Sequence, residues 1–241
     1  MKAPKYFFFD LDNTLTRSTS SLAEEHKDVF ERLVKTHEVV VVSGAKAEQI
    51  EKQMGPSRGR FGILSQNGNV AIVKTGEVFW NNQMPSDKKK LILAFIEKLK
   101  NELAIPVTDE HDLIEDRGAQ ISYSLIGHHE DKTKKEAFDP DKEKRKQMLK
   151  KHADEVAKLK TEGIEIGIGG TTTLDFMPLG KNKGFNIGEF IKRSGWNTDE
   201  SVYFGDALFP GGNDDSVNGM VPTQSVKDYN ETFAILEKLF P

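Results

Sequence analysis

The chain has 241 residues, 37% hydrophobic and 30% charged, with a formal charge of −4 and no cysteine. That length allows one large domain or two modest ones. The acidic balance argues against a general nucleic-acid binder, and the missing cysteine excludes disulfides, thiolate catalysis and cysteine zinc sites. The start, Met1-Lys2-Ala3-Pro4-Lys5, leads into aromatic residues and acids, unlike a signal peptide. No apolar run approaches membrane-spanning length, so a cytoplasmic protein without a membrane partner is expected.

In chain order, Tyr6-Phe7-Phe8-Phe9 is an unbroken apolar run that predicts a strand buried on both faces. A helix is expected over residues 21–35, capped by Ser20 or Ser21 with Glu24 close behind. Val39 to Val42 reads as a second buried strand, and Ala45 to Met54 as a helix ending at Gly55-Pro56. Phe61 to Leu64, Gln66-Asn67-Gly68-Asn69 and Val70 to Val73 predict strand, tight turn and strand. This alternation indicates an α/β sheet. The middle changes character, with helices over 87–103 and 141–162 and strands near 119–126, 164–168 and 172–176. An α+β domain is therefore inserted at about 82–178, leaving 1–81 and 179–241 as the core. The core resumes with a helix over 186–194, a strand over 201–204 and a last helix over 228–239. Lysines between His128 and Lys160 are interleaved with acids, which is the mark of a solvated helix face rather than a nucleic-acid surface.

Asp10 and Asp12 directly follow the first strand, where ligands of such sheets bind. Alone, Asp10-Leu11-Asp12-Asn13 also reads as a polar turn. The strand Val202-Tyr203-Phe204, however, delivers another acid, Asp206, and a glycine-rich loop that returns Asn213 and Asp214 toward the same edge. Hard oxygen ligands of this kind suit magnesium. Asp10 and Asp206 would be direct ligands, Asp214 a further ligand or the holder of a coordinated water, and Asp12 could add its backbone carbonyl. Ser43, with Gly44, can donate to a phosphate, assisted by the N–H groups opening the next helix. Lys183 can bring positive charge, with Lys181 as the neighbour most easily mistaken for it.

These four segments, in this order, resemble the haloacid dehalogenase superfamily of phosphotransferases. The aspartate pair matches its first motif, Ser43 the second, Lys183 the third, and Asp206 with Asp214 the fourth. The resemblance covers essentially the whole chain and is closest to the capped branch that contains eukaryotic-type phosphomannomutases. Gly205-Asp206 through Pro210-Gly211-Gly212-Asn213-Asp214 is similar to that family's signature loop. Arg117-Gly118 with Ser124 to Gly127, and Ile168 to Asp175, are similar to its cap segments. The resemblance implies a Rossmann-like parallel-sheet core with an α+β cap that closes over the site. It further implies an aspartyl-phosphate on Asp10, with Asp12 as the proton donor and acceptor. Magnesium and Lys183 would offset charge, and Arg117, Thr173 and Asp175 would bind a sugar phosphate. A homodimer through the cap is a further expectation.

The departures bear on the reaction. Phosphomannomutases carry further arginines after the cap strand, where this chain has His128 and then Lys134 or Lys135. Asn13 stands in place of the usual glycine of the first motif, and Ser43-Gly44-Ala45 looks more like the second motif of the phosphatases. Losing bidentate arginines weakens the grip on a bisphosphorylated sugar more than it weakens simple hydrolysis. A magnesium-dependent sugar-phosphate phosphatase is therefore expected. The alternative is a phosphomannomutase interconverting mannose 1-phosphate and mannose 6-phosphate, and a non-catalytic binding module is a minor one.

Overall fold

The computed structural model describes residues 4–103 and 105–240, so Met1 to Ala3, part of the segment read above for a signal peptide, lie outside the described residues. In chain order the first elements are β1 (Tyr6–Asp10), α1 (Glu24–Thr36), β2 (Glu38–Val42), α2 (Ala47–Met54), β3 (Gly62–Ser65), β4 (Val70–Ile72) and β5 (Val78–Asn81). Then come α3 (Ser86–Leu103), β6 (Ile114–Asp116), β7 (Ile121–Ser124), α4 (Lys132–Phe138), α5 (Glu143–Lys151), α6 (Ala153–Thr161), β8 (Ile164–Gly169) and β9 (Thr173–Pro178). The chain closes with α7 (Lys183–Ser194), β10 (Ser201–Gly205), β11 (Thr223–Ser225) and α8 (Tyr229–Leu239). Two compact units result, Met1–Asn81 with Lys181–Pro241, and Asn82–Gly180.

The first unit holds a seven-stranded sheet in the order β11-β10-β1-β2-β3-β4-β5. The strands from β11 to β3 pair in parallel, and β4 and β5 are antiparallel additions. The unbroken apolar run of β1 is used on both faces. Phe7 and Phe9 pack with α1, α2 and α8 through Phe30, Leu33, Ile50, Phe233 and Leu236. Phe8 packs the other way, with Ile187, Phe190 and Ile191 of α7. Parallel register then aligns the strand exits: Asp10 pairs with Val42, and Phe9 with Phe204. Asp10, Ser43 and Asp206 therefore leave the sheet along one edge.

The second unit is built on an antiparallel sheet in the order β6-β7-β9-β8. Its period-2 alternation separates two faces. Ile121, Tyr123, Leu174 and Phe176 pack against Ile92, Phe95 and Ile96 of α3, with Met148 of α5 and Leu159 of α6. The opposite face carries Glu115, Ser122 and Asp175 in one cross-strand row, and Ser124 and Thr173 in the next. The side chains of Arg145 and Asp139 form a fully buried ion pair in this unit, at 2.7 Å. Arg145 also donates to the carbonyls of Gly169, Gly170 and Thr173, which ties α5 to the β8–β9 turn.

Several local expectations change. The first helix begins after Ala23, without a side-chain cap, because Leu22 is buried and its N–H is bound to Gln53 O, holding the chain extended up to Ala23. The helix after β2 begins at Ala47, because Ser43 to Ala45 are engaged by a neighbouring turn. The single helix expected over 141–162 is two, α5 and α6, broken at His152 (ψ 30°). The His152 ring sits edge-on to Phe95, with Nε2 3.2 Å from the Glu102 carboxylate, so tertiary anchoring overrides local helix propensity. The short strands β5, β6 and β11 and the helix α4 were not anticipated. Each is too brief to show a period. No helix among the described residues is long and apolar enough to cross a membrane.

Candidate active site

Asp10 ends β1 and is buried. Lys183, the first residue of α7, donates Nζ hydrogen bonds to Asp10 Oδ1 and, at 2.7 Å, to Asp214 Oδ1. Its place is set by Asn182, whose side chain caps α7 by accepting from the Phe185 N–H. Asp214 also accepts from the Tyr203 hydroxyl at 2.7 Å and from the Ala207 N–H at 3.3 Å. The loop returns this close because residue 205 is glycine: a Cβ there would lie 2.4 Å from Asp214 Oδ2. Carboxylate oxygens of Asp10, Asp206 and Asp214 all lie within 4.8 Å of one another.

Three acids against one ammonium leave surplus negative charge in a buried place. Burial, then the charges of Asp214 and Asp206, outweigh the help from Lys183, so the Asp10 pKa stands well above the ordinary carboxylate value. Burial alone would depress Lys183, but Asp10 and Asp214 more than compensate and raise it. Tyr203 is pushed up by burial and by Asp214, so it stays a neutral donor. A cluster of hard oxygens with excess negative charge fits a divalent cation such as magnesium. Asp10, Asp206 and Asp214 are the side chains that could hold it.

Asp12, two residues past Asp10, accepts the Thr19 N–H at 2.7 Å. Between them the chain turns through Asn13 at φ 63°, a left-handed position that suits glycine and, among other residues, asparagine best. That explains why Asn13 can stand where a glycine is usual. Ser43 is buried at the end of β2, and its Oγ accepts from the Ala45 N–H at 3.1 Å. The expected help from N–H groups opening a helix is not what surrounds it, since α2 starts further on.

Arg117, Thr173 and Asp175 belong to the second unit and are associated with the polar face of its sheet. Arg117 donates to Glu115 Oε2 from both Nε (2.9 Å) and Nη2 (2.7 Å). Ser122 Oγ donates to Asp175 Oδ1 at 2.6 Å, and the opposite carboxylate oxygen lies over Gly169, where a Cβ would be 2.3 Å away. His128 is half enclosed between Ser122 O and Glu115. Burial lowers its pKa, Glu115 offsets part of this, and Arg117 adds to it. Lys135 Nζ donates to the His128 carbonyl at 2.6 Å. Sequence reasoning overlooked Glu115, Ser122 and Tyr203. Tyr203 alone left a signal, as a hydroxyl inside an otherwise apolar strand.

The family described as haloacid dehalogenase-like hydrolase matches residues 7–214, most of the chain and all of the acid cluster. The chain belongs to this family. Phosphomannomutase 2 of Dictyostelium discoideum is 26% identical over 244 residues, covering 96% of this chain and 95% of that protein. A phosphomannomutase of Schizosaccharomyces pombe is 28% identical over 257 residues, covering 99% and 96%. Among solved structures, a haloacid dehalogenase-like hydrolase from B. subtilis superposes with a TM-score of 0.65 at 14% identity, covering 98% of this chain and 100% of that one. An IMP-nucleotidase of Plasmodium falciparum gives 0.66 at 15% identity, covering 99% and 68%. These likenesses bear out the expected fold, a parallel-rich α/β sheet with a separate antiparallel sheet. As a member of this hydrolase family with mutase relatives, the protein is an enzyme of the phosphatase and phosphomutase kind.

Proposed function

We propose that this hydrolase is a magnesium-dependent sugar-phosphate phosphatase that works through an aspartyl-phosphate on Asp10. The observation that carries the reading is the Lys183 bridge between Asp10 and Asp214, beside Asp206, at the exits of β1 and β10. One Asp10 oxygen attacks phosphorus, and the sugar oxygen leaves with a proton delivered by Asp12. Asp12 then takes a proton from water, whose oxygen attacks phosphorus, freeing Asp10 and releasing inorganic phosphate. Lys183 orients the Asp10 carboxylate and offsets part of the burial that disfavours its charge, while Ser43 and Gly44 hold phosphate oxygens. A magnesium ion held by Asp10, Asp206, Asp214 and the Asp12 carbonyl would supply positive charge against the repulsion between nucleophile and phosphate. Arg117, Thr173 and Asp175 recognise the sugar part.

The surroundings of Arg117 favour hydrolysis over mutation of the sugar. Its guanidinium is already shared with Glu115, and His128 is held neutral near pH 7 by its burial. Of the two lysines at the next position, Lys135 is turned onto a backbone carbonyl and Lys134 lies against the Glu130 carboxylate. A bisphosphorylated intermediate would meet a weaker second-phosphate grip here than bidentate arginines provide. A second reading, phosphomannomutase, is favoured by the name that the relatives carry along nearly their whole length. Incubation with magnesium, mannose 1-phosphate and a trace of hexose 1,6-bisphosphate decides between them. Free phosphate as the main product supports the phosphatase, and dominant mannose 6-phosphate makes it a mutase. The reading has a small-molecule substrate in the cytoplasm, so oligonucleotides added as competitors should leave turnover unchanged.

A further inference from the structure

Three consecutive residues between β3 and β4 lie in the left-handed region: Gln66 (φ 53°), Asn67 (φ 58°) and Gly68 (φ 84°). Two of them are not glycine, and all three are buried. Backbone of this kind persists only where its surroundings over-determine it, and it collects at functional sites. Here each carbonyl of the turn accepts a side-chain donor. Asn69 Nδ2 donates to Gln66 O at 3.0 Å, Asn186 Nδ2 to Asn67 O at 2.8 Å, and Trp80 Nε1 to Gly68 O at 2.8 Å. Asn186 is also packed so tightly under the turn that a Cβ on residue 68 would lie 2.4 Å from its own Cβ.

What the turn holds is informative. The Asn67 N–H donates to Ser43 O at 2.9 Å and the Gln66 N–H to Ala45 O at 3.0 Å, so the turn fixes the loop carrying Ser43 at two points. Asn69 and Asn186 each donate a further hydrogen bond, both 2.9 Å, to Lys181 O, two residues before Lys183. Asn186 also lies one helical turn beyond Lys183 on α7, nearly fully buried. One strained turn therefore joins the serine loop to the lysine helix.

We propose that Asn186 is a positioning residue that, through the left-handed turn 66–68, sets the spacing of Ser43 and Lys183 for a tetrahedral phosphate oxyanion. It touches no reacting atom. Its amide ties the turn that holds the Ser43 loop to the segment just before Lys183, and phosphate oxygens need Ser43 and Lys183 at once. The proposal rests on the reading of Ser43 and Lys183 as phosphate-site residues.

Its test is the affinity for orthovanadate, titrated calorimetrically into the full chain with magnesium present, where stoichiometry reports the folded fraction separately from affinity. Ser43→Ala checks the site itself and should weaken binding. Asn186→Asp keeps the shape but removes the donor, and should weaken binding about tenfold at unchanged stoichiometry. Trp80→Phe removes only the indole donor, and should weaken it about threefold. Weakening by Ser43→Ala with wild-type affinity in both other variants overturns the positioning role alone. Wild-type affinity in Ser43→Ala, or no binding by the unmodified protein, overturns the phosphate-site reading and the proposal with it. If Asn186→Asp does not fold, Asn186→Ala, which removes the same donor without adding a carboxylate, decides by the same criterion.

Discussion

Each unit of this protein buries charge, and the two do so differently. In the second unit Arg145 and Asp139 balance one another, and Asp139 accepts the Lys144 and Arg145 N–H groups as well. Burial would raise Asp139, but Arg145 and those N–H groups hold it below the usual carboxylate range. In the first unit three acids face one ammonium, and Asp10 is driven up instead. A balanced buried pair is a structural tie. A buried surplus of one sign is a place where something of opposite charge belongs.

The largest expected effect comes from Asp10→Asn. Turnover of any phosphate ester should fall on the order of a thousandfold or more, as removal of a nucleophile demands. The metal-free variant should be at least as resistant to urea as the unmodified protein, because one repelling charge is gone. Substantial residual activity would remove Asp10 as the nucleophile. Asp139→Asn should behave in the opposite way. It strands the Arg145 charge and should lower stability by about 3 kcal/mol in urea unfolding. A loss near zero would break the contrast between tie and site.

The two acids should also give opposite pH slopes. The lowered Asp139 pKa contributes stability that is present above the unfolded value of about 3.9 and lost as pH falls through the lower folded one. The raised Asp10 pKa, with metal chelated, contributes stability present below about 3.9 and lost as pH rises through the folded value. Urea midpoints against pH for the two asparagine variants separate these slopes.

Magnesium should act on one unit only. At about a hundredfold excess over its dissociation constant it should add roughly 2.7 kcal/mol to the unmodified protein. Asp206→Asn should lose most of that gain, whereas Asp139→Asn should keep it. The smallest effect is expected for Arg117→Ala, a roughly tenfold rise in KM for sugar phosphates with aryl phosphates spared. Equal losses on both substrate types would place Arg117 outside sugar recognition.

Much of the first unit was legible because its strands are short runs of one kind of residue ending in another. Tyr6 to Phe9 could only be a strand covered on both faces, and Asp10 had to emerge where it stops. The second unit was harder to read. Its polar face is a cross-strand row, Glu115-Ser122-Asp175, drawn from strands whose register no local pattern specifies. His152 interrupts a helical pattern that is locally sound, because Phe95 and Glu102 hold its ring.

The amino-acid sequence alone determined the alternation of strands and helices, the acids at strand exits and the family to which they point. Those properties are carried by neighbours in the chain, through side-chain period and turn chemistry. Tertiary structure alone decided that Lys183 bridges Asp10 and Asp214, that Glu115 occupies Arg117, and that Asn186 reaches the turn at 66–68. Each of the last two turns on where a terminal amide or guanidinium ends up. That is fixed by packing between segments, and no stretch of sequence encodes it by itself.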